Sequence, residues 1–272
     1  MIPKFFDIHA HVNDVRFNAD RDEVLSRMEE EGVWSIMVGT DQKSSRDVVA
    51  MALSRDRGIY ASIGVHPIDD QNEIFEEALF GELVSTGKVV AIGECGLDYS
   101  RLADVPDIFI EKKRQKELFE AQVDFALEKN LPLMIHCRDS DKARADAHRD
   151  VLAILREKKD AGAGKLRGNV HFFSQTIHIA EEYFGLGFTV SFTGVITFTH
   201  EYDDVIKTAP LTHIMSETEC PYVAPVPYRG KRNEPAMVPE VVKKIAEIRG
   251  EEYEVVRAQL VANAMRVFNI SL

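Results

Sequence analysis

Short apolar runs recur along the chain, and each is followed by a stretch whose apolar residues fall at helical spacing. Residues 5–8, 34–38, 60–65, 89–93, 132–135, 169–172 and 188–192 read as strands. An eighth strand starts near Leu211 and ends at Ile214 and Met215. Residues 22–31, 47–55, 73–85, 110–129, 147–159 and 177–184 read as helices, and 238–249 and 253–268 close the chain as two more. The stretch 110–129 is typical: Phe119, Val123, Ala126 and Leu127 share one helical face. Short, continuously apolar strands alternating with helices indicate a parallel sheet covered on both faces. About eight of them indicate a TIM-like (β/α)8 barrel rather than an open sheet.

The length agrees. The chain has 272 residues, and about 250 are typical of one such barrel. No linker rich in Pro, Gly or Ser, no low-complexity tract and no repeat divides residues 1–272, so they read as a single α/β domain with closing C-terminal helices.

Against this map the polar residues at strand ends stand out. The first strand runs into Phe6-Asp7-Ile8-His9-Ala10-His11. Side chains two apart on a strand point the same way, so His9 and His11 can hold one metal ion together. Glu94 follows the fourth strand, His136 ends the fifth, His171 lies in the sixth, and Glu217 and Glu219 follow the eighth. In a barrel all C-terminal strand ends meet on one face, where active sites lie. Imidazoles and carboxylates converging there suit Zn²⁺, Mn²⁺ or a mixed nitrogen and oxygen site. The set is too rich for one tetrahedral ion and fits two. Burying so many such groups without a metal would be costly.

Composition narrows the function. Hydrophobic residues make up 45% of the chain, enough for a large core. The formal net charge of −12 argues against bulk electrostatic binding to nucleic acid, which needs a basic footprint. It leaves room for a phosphate gripped locally by metal and a few arginines. No stretch approaches the ~20 apolar residues of a membrane span. Met1-Ile2-Pro3-Lys4 leads straight into the first strand, so no signal peptide is expected. With three cysteines, Cys95, Cys137 and Cys220, an odd number, this favours a reducing cytoplasm. Cys95 and Cys137 each follow a proposed ligand by one residue, so they should face the helix layer as small buried hydrophobes. Gly162-Ala163-Gly164-Lys165 lacks the first Gly and the Ser/Thr of a phosphate loop and reads as a plain loop.

Taken together, several segments resemble the TatD family of metal-dependent hydrolases, barrels of the amidohydrolase type. They are residues 6–11, Gly64-Val65-His66-Pro67, Ile92 through Tyr99, Gln115 to Gln122 with Leu133 to Arg138, Val170 through Ser174, Glu217 through Tyr222, and Arg232-Asn233-Glu234-Pro235. They run in family order from residue 6 to residue 235. The resemblance implies a pair of divalent ions (Zn, Mg or Mn) and hydrolysis of phosphodiesters, usually as a deoxyribonuclease, with single-stranded DNA the expected partner and a monomer the plausible state. His9, His11, Glu94, His136 and His171 match the family's metal ligands, with Glu94 bridging the ions. His66 matches a position near the substrate phosphate.

One departure stands in the last motif. The family has Glu-Thr-Asp where this chain has Glu217-Thr218-Glu219. The family's Asp touches metal and orients the attacking water. Glu219 adds one methylene, a displacement on the order of 1.5 Å, where errors of ~1 Å can slow a reaction ~100-fold. If Glu219 reaches, it serves as catalytic base beside Glu94, with Arg138 steadying phosphate charge. Arg138 can equally pair with Asp139 or Asp141. Asp98 is expected to orient a ligand histidine from behind, with Glu217 also in that supporting layer. Arg229, Lys231 and Arg232 lie in the Pro-rich loop 224–235 and are candidates for holding a nucleic-acid backbone, or a solvated charge run. Two alternatives remain: a hydrolase of acyl esters or amides on the same barrel, such as removal of an acyl group from RNA, and a metal-binding barrel with catalysis weakened by Glu219.

Overall fold

The computed structural model describes residues 2–161 and 164–271. Gly162 and Ala163, in the loop dismissed above as a phosphate loop, lie outside the described residues. Eight strands form one sheet in sequence order, each parallel to the next: β1 (Phe5–Ala10), β2 (Val33–Val38), β3 (Ile59–Ile63), β4 (Val89–Asp98), β5 (Leu133–Arg138), β6 (Gly168–Val170), β7 (Phe188–Phe192) and β8 (Ile214–Ser216). Around them lie α1 (Arg21–Glu30), α2 (Gln42–Leu53), α3 (Glu77–Val84), α4 (Ile108–Lys129), α5 (Ala147–Ala161), α6 (Ile177–Gly185), α7 (Asp203–Thr208), α8 (Val238–Arg249) and α9 (Tyr253–Val267). This is the TIM-like (β/α)8 barrel that the alternation of patterns predicts, with α8 and α9 closing it.

The barrel is nearly closed, and side chains finish the seam between β1 and β8. Asp7 Oδ2 accepts from the Thr218 hydroxyl at 2.6 Å and Oδ1 from the Thr218 N–H at 2.9 Å. Ser216 Oγ donates to the Phe6 carbonyl at 3.1 Å. Just beyond β8, Glu219 N donates to His9 O and His11 N donates to Cys220 O, at 3.0 and 2.9 Å. The segment that carries Glu219 is thereby stitched to the strand that carries His9.

The core has two parts. Inside the barrel, Phe6 and Ile8 meet Ile36, Val38, Met134 and Met215, capped by Val261, Ala264 and Phe268 from α9 and its end. Phe5, Ala10 and Val12 instead join the larger layer between strands and helices. Parity along β1 thus changes between Ile8 and Ala10, where its register with β2 shifts between Asp7 and Ala10. Such a bulge re-aims the side chains that follow it. It turns His9 and His11 to the same inner side as Phe6 and Ile8, so the histidines sit directly on an apolar floor.

Two departures from the sequence reading have plain causes. The fourth strand runs to Asp98 rather than stopping at Gly93, so Glu94 lies within it. Gly93 and Gly96 have φ of +147° and +141°, and a Cβ there would collide with the Met134 and His136 carbonyls of β5. These glycines allow close approach to β5 instead of ending the strand. The short helix α7 was not expected; its six residues carry too few apolar positions to show a period.

Candidate metal centre

The strand ends deliver their polar side chains to one cavity of about 590 Å³, within the range usual for ligand sites. At its floor lies Glu94, 4% exposed and surrounded by imidazoles. Its Oε1 is 2.8 Å from His171 Nε2, 3.0 Å from His136 Nδ1 and 3.7 Å from His66 Nε2. Its Oε2 is 3.3 Å from His9 Nε2 and 3.6 Å from His11 Nε2. One carboxylate therefore touches side chains from β1, β5 and the ends of β3 and β6. Glu219 closes the ring from the other side, with Oε2 at 3.3 Å from His9 Nε2 and 3.7 Å from His171 Nδ1.

These side chains fit divalent metal. Three groups of potential donors overlap: His9, Glu94 and His171; His9, His11 and Glu219; His66, Glu94 and His136. His9 and Glu94 each belong to two of the groups, so the three groups form one continuous donor cluster. His9 Nδ1, His171 Nδ1 and Glu219 Oε2 are buried without a hydrogen-bond partner among the described residues. His9 Nε2 and His11 Nε2 sit only 3.1 Å apart, a clash of lone pairs unless a proton or a cation lies between them. Buried polar atoms are normally paired, and a cluster of exceptions marks a functional site.

The protonation states of His9 and His171 point the same way. Burial, then the neighbouring His171, holds the His9 pKa well below its usual range. Burial likewise lowers His171. Both are thus kept as neutral imidazoles, the form that binds metal. Burial opposes ionisation of Glu94, yet the surrounding histidines hold its pKa well below the usual carboxylate range. Glu219 is raised well above that range by burial and by Glu94; a cation would take the place of its proton. Burial disfavours charge on His136 too, but hydrogen bonds to Asp98 and Glu94 prevail and push it up to about 10.

A second layer orients these groups. Asp98 Oδ2 pairs with His136 Nε2 at 3.0 Å, which leaves Nδ1 for the cavity. The Val38 carbonyl lies 3.1 Å from His11 Nδ1, and Asp69 lies 2.8 Å from His66 Nδ1. Fixing one ring nitrogen sets the tautomer and the aim of the other. Glu217 is fully buried and accepts from Phe172 N at 2.6 Å and from Ser191 Oγ at 2.8 Å. Burial pushes its pKa up to about 8. It anchors the backbone beside His171.

The remaining candidates divide. Arg138 lines the cavity and pairs with neither Asp139 nor Asp141: Asp139 instead caps α5 through Ala147 N and His148 N. Arg232 is not brought to the cavity. Its guanidinium forms a two-point pair with Asp20, the longer contact at 2.8 Å, and lies over the Phe17 ring. The expected substrate contact is spent on holding the loop to residues 16–20, which follow β1. Cys95 and Cys137 are buried in the outer layer as expected, and Cys220 is buried as well. Two supporting carboxylates escaped the sequence reading. Asp69 follows His66 by three residues, and Asp7 interrupts an apolar run; both were visible signals.

The comparisons with known proteins agree with this geometry. A family model described as TatD related DNase matches residues 6–269. The chain belongs to the TatD family of metal-dependent hydrolases. It is 38% identical over 270 residues to the Bacillus subtilis protein named uncharacterized metal-dependent hydrolase YabD, covering 98% of this chain and 99% of that one. It is 31% identical over 274 residues to a protein of Erwinia billingiae named 3'-5' ssDNA/RNA exonuclease TatD, covering 97% and 99%. The crystal structure of YjjV, a TatD homologue from Escherichia coli K12, superimposes with a TM-score of 0.84 at 26% identity over the whole of both chains. As in other TatD-family members the chain is a metal-dependent hydrolase on a TIM-like barrel, and none of its described helices is long and apolar enough to cross a membrane.

Proposed function

We propose that this TatD-family hydrolase cleaves phosphodiester bonds in single-stranded nucleic acid, single-stranded DNA first, at a centre of two divalent ions. The observation that carries the proposal is Glu94, in reach of five imidazoles and faced by Glu219. His9, His11 and Glu219 would hold one ion, His136 and His171 the other, with Glu94 between them and His66 beside the second. Divalent cations supply Lewis-acid charge and acidify bound water.

The chain's own residues do the rest. Glu219 would take a proton from the water whose oxygen attacks phosphorus and return it to the departing oxygen as the P–O bond breaks. Its backbone, at φ +58°, is left-handed, a conformation on the order of 1–3 kcal/mol uphill for a residue other than glycine. That turn is held by the His9 carbonyl, and the carboxylate lies 3.3 Å from His9. This speaks against Glu219 as an inactivating change. Asp98 keeps His136 aimed inward. Arg138 and His66, both on the cavity wall, steady the phosphate oxygens. The three buried thiols suit a reducing cytoplasm.

A substrate panel tests the bond class. Metal-loaded protein is offered a single-stranded oligonucleotide, an aminoacyl ester and a small amide. Preference for the oligonucleotide is the expected result. Turnover of the ester or amide alone would transfer the reading to acyl chemistry.

A further inference from the structure

Among the large apolar side chains that are exposed, Val15, Phe198, Tyr222 and Val226 form one group, with the two rings 44% and 48% accessible. All four lie in loops that leave the C-terminal ends of β1, β7 and β8. β7 and β8 are paired, and β8 meets β1 at the seam, so these loops occupy one sector of the cavity rim. Each ring carries a guanidinium on one face. Arg16 lies 4.2 Å from the Tyr222 ring centre, and Arg229 lies 3.8 Å from that of Phe198.

The arrangement is built. Asp14 grips Arg16 through two hydrogen bonds of 2.8 Å and fixes it over Tyr222. Arg229 has no carboxylate partner among the described residues; its Nη1 donates to the Ala224 carbonyl at 3.2 Å. Thr197, beside Phe198, accepts the Val226 N–H at 2.9 Å and ties the two loops together. Gly194 makes the junction possible, because a Cβ there would strike Val223 O and the Pro225 backbone. The sector adjoins the metal centre: Tyr222 and Tyr202 line the cavity, and Tyr202 shares a loop with Phe198.

We propose that Phe198 and Tyr222, each capped by an arginine, form a stacking platform for unpaired bases of a single-stranded nucleic acid entering the metal centre. The proposal rests on the phosphodiesterase reading. Aromatic faces beside positive charge are how proteins hold single strands without reading sequence. The rings take the bases, and Arg229, with charge to spare, takes a phosphate. Bases of a duplex are stacked on each other and cannot use the rings. The platform also answers the net charge of −12: the strand is gripped by a small local patch rather than by a broad basic face.

The test is a binding titration of a fluorescent single-stranded oligonucleotide of ~10 nucleotides, in EDTA so that nothing is cut, against wild type, Phe198→Ala and Phe198→Leu. A matched oligonucleotide without bases is titrated beside it. Both side-chain changes should weaken binding of the base-bearing strand about tenfold, equal to about 1.4 kcal/mol. The difference should vanish for the baseless strand. Equal binding by all three proteins, or the same loss for both strands, overturns the platform. Wild-type cleavage with metal, followed separately, distinguishes the readings. Cleavage with binding indifferent to Phe198 removes the platform alone, whereas a wild type that neither binds nor cleaves removes the phosphodiesterase reading with it.

Discussion

Asp98 touches no substrate in this account, yet His136 depends on it. The 3.0 Å bond to Nε2 keeps Nδ1 turned toward Glu94. Asp98→Asn should therefore reduce metal affinity or activity by about 10–100-fold, read by isothermal titration with Mn²⁺ and by kcat, with little change in fold. An unaltered affinity and kcat would show that His136 needs no support. Arg138 and Arg232 make a contrasting pair. Arg138 is on the cavity wall, so Arg138→Ala should raise KM for an oligonucleotide and flatten its dependence on salt. Arg232 is bonded to Asp20, so Arg232→Ala should lower thermal stability and leave KM alone. Comparison of the two salt slopes decides between these assignments.

Helix α4 positions two strand ends at once. Gln115 and Gln122 are seven residues apart, two turns on one helical face, and both are buried. Gln122 pairs with both the N–H and the carbonyl of Val65, beside His66, at 2.8 and 3.0 Å. Gln115 does the same for Asp98 at 2.9 Å in each direction. Gln115→Ala strands two buried backbone groups, and each such group costs about 1–3 kcal/mol. A lowered urea midpoint with an unchanged m-value, together with reduced kcat, is the expected result; a stable variant with normal kcat would show that the clamp is idle. This element also shows what could be read in the sequence. The apolar stripe of α4 was legible from its period, and the strand ends from alternation of strand and helix. The ligands were legible because imidazoles and carboxylates are rare at the ends of apolar runs. The two glutamines stood out only as the ends of a segment resembling the family, and their role was hidden, since a polar residue on a helix reads as solvent-facing until its neighbours are known. Nor was Arg232 legible: its partner, Asp20, lies 212 residues away in sequence. The bulge in β1 was equally hidden, because parity alone already put His9 and His11 on one side.

One buried carboxylate, Asp7, helps close the barrel seam, and a second, Glu217, ties β7 to the backbone after β6. Burial raises the Asp7 pKa to about 7 and that of Glu217 to about 8. Both lie above the ~4 of an unfolded carboxyl. Between those values the folded chain holds protons that the unfolded chain has released, so stability falls as pH rises from about 4 toward about 8. Asp7→Asn should flatten the part of that slope ending near pH 7, measured by thermal unfolding of metal-free protein across pH; an unchanged slope would remove Asp7 as its source. The same carboxylates lie just outside a cavity whose floor is a ring of imidazoles around Glu94, and that ring is the centre of the account. It is tested most directly by a time course of single-stranded DNA cleavage with Mn²⁺, beside EDTA and the Glu94→Gln variant. Cleavage by wild type that EDTA abolishes, and that Glu94→Gln lowers by at least about 100-fold, is the predicted result. Cleavage that survives EDTA or the loss of the Glu94 carboxylate would contradict it.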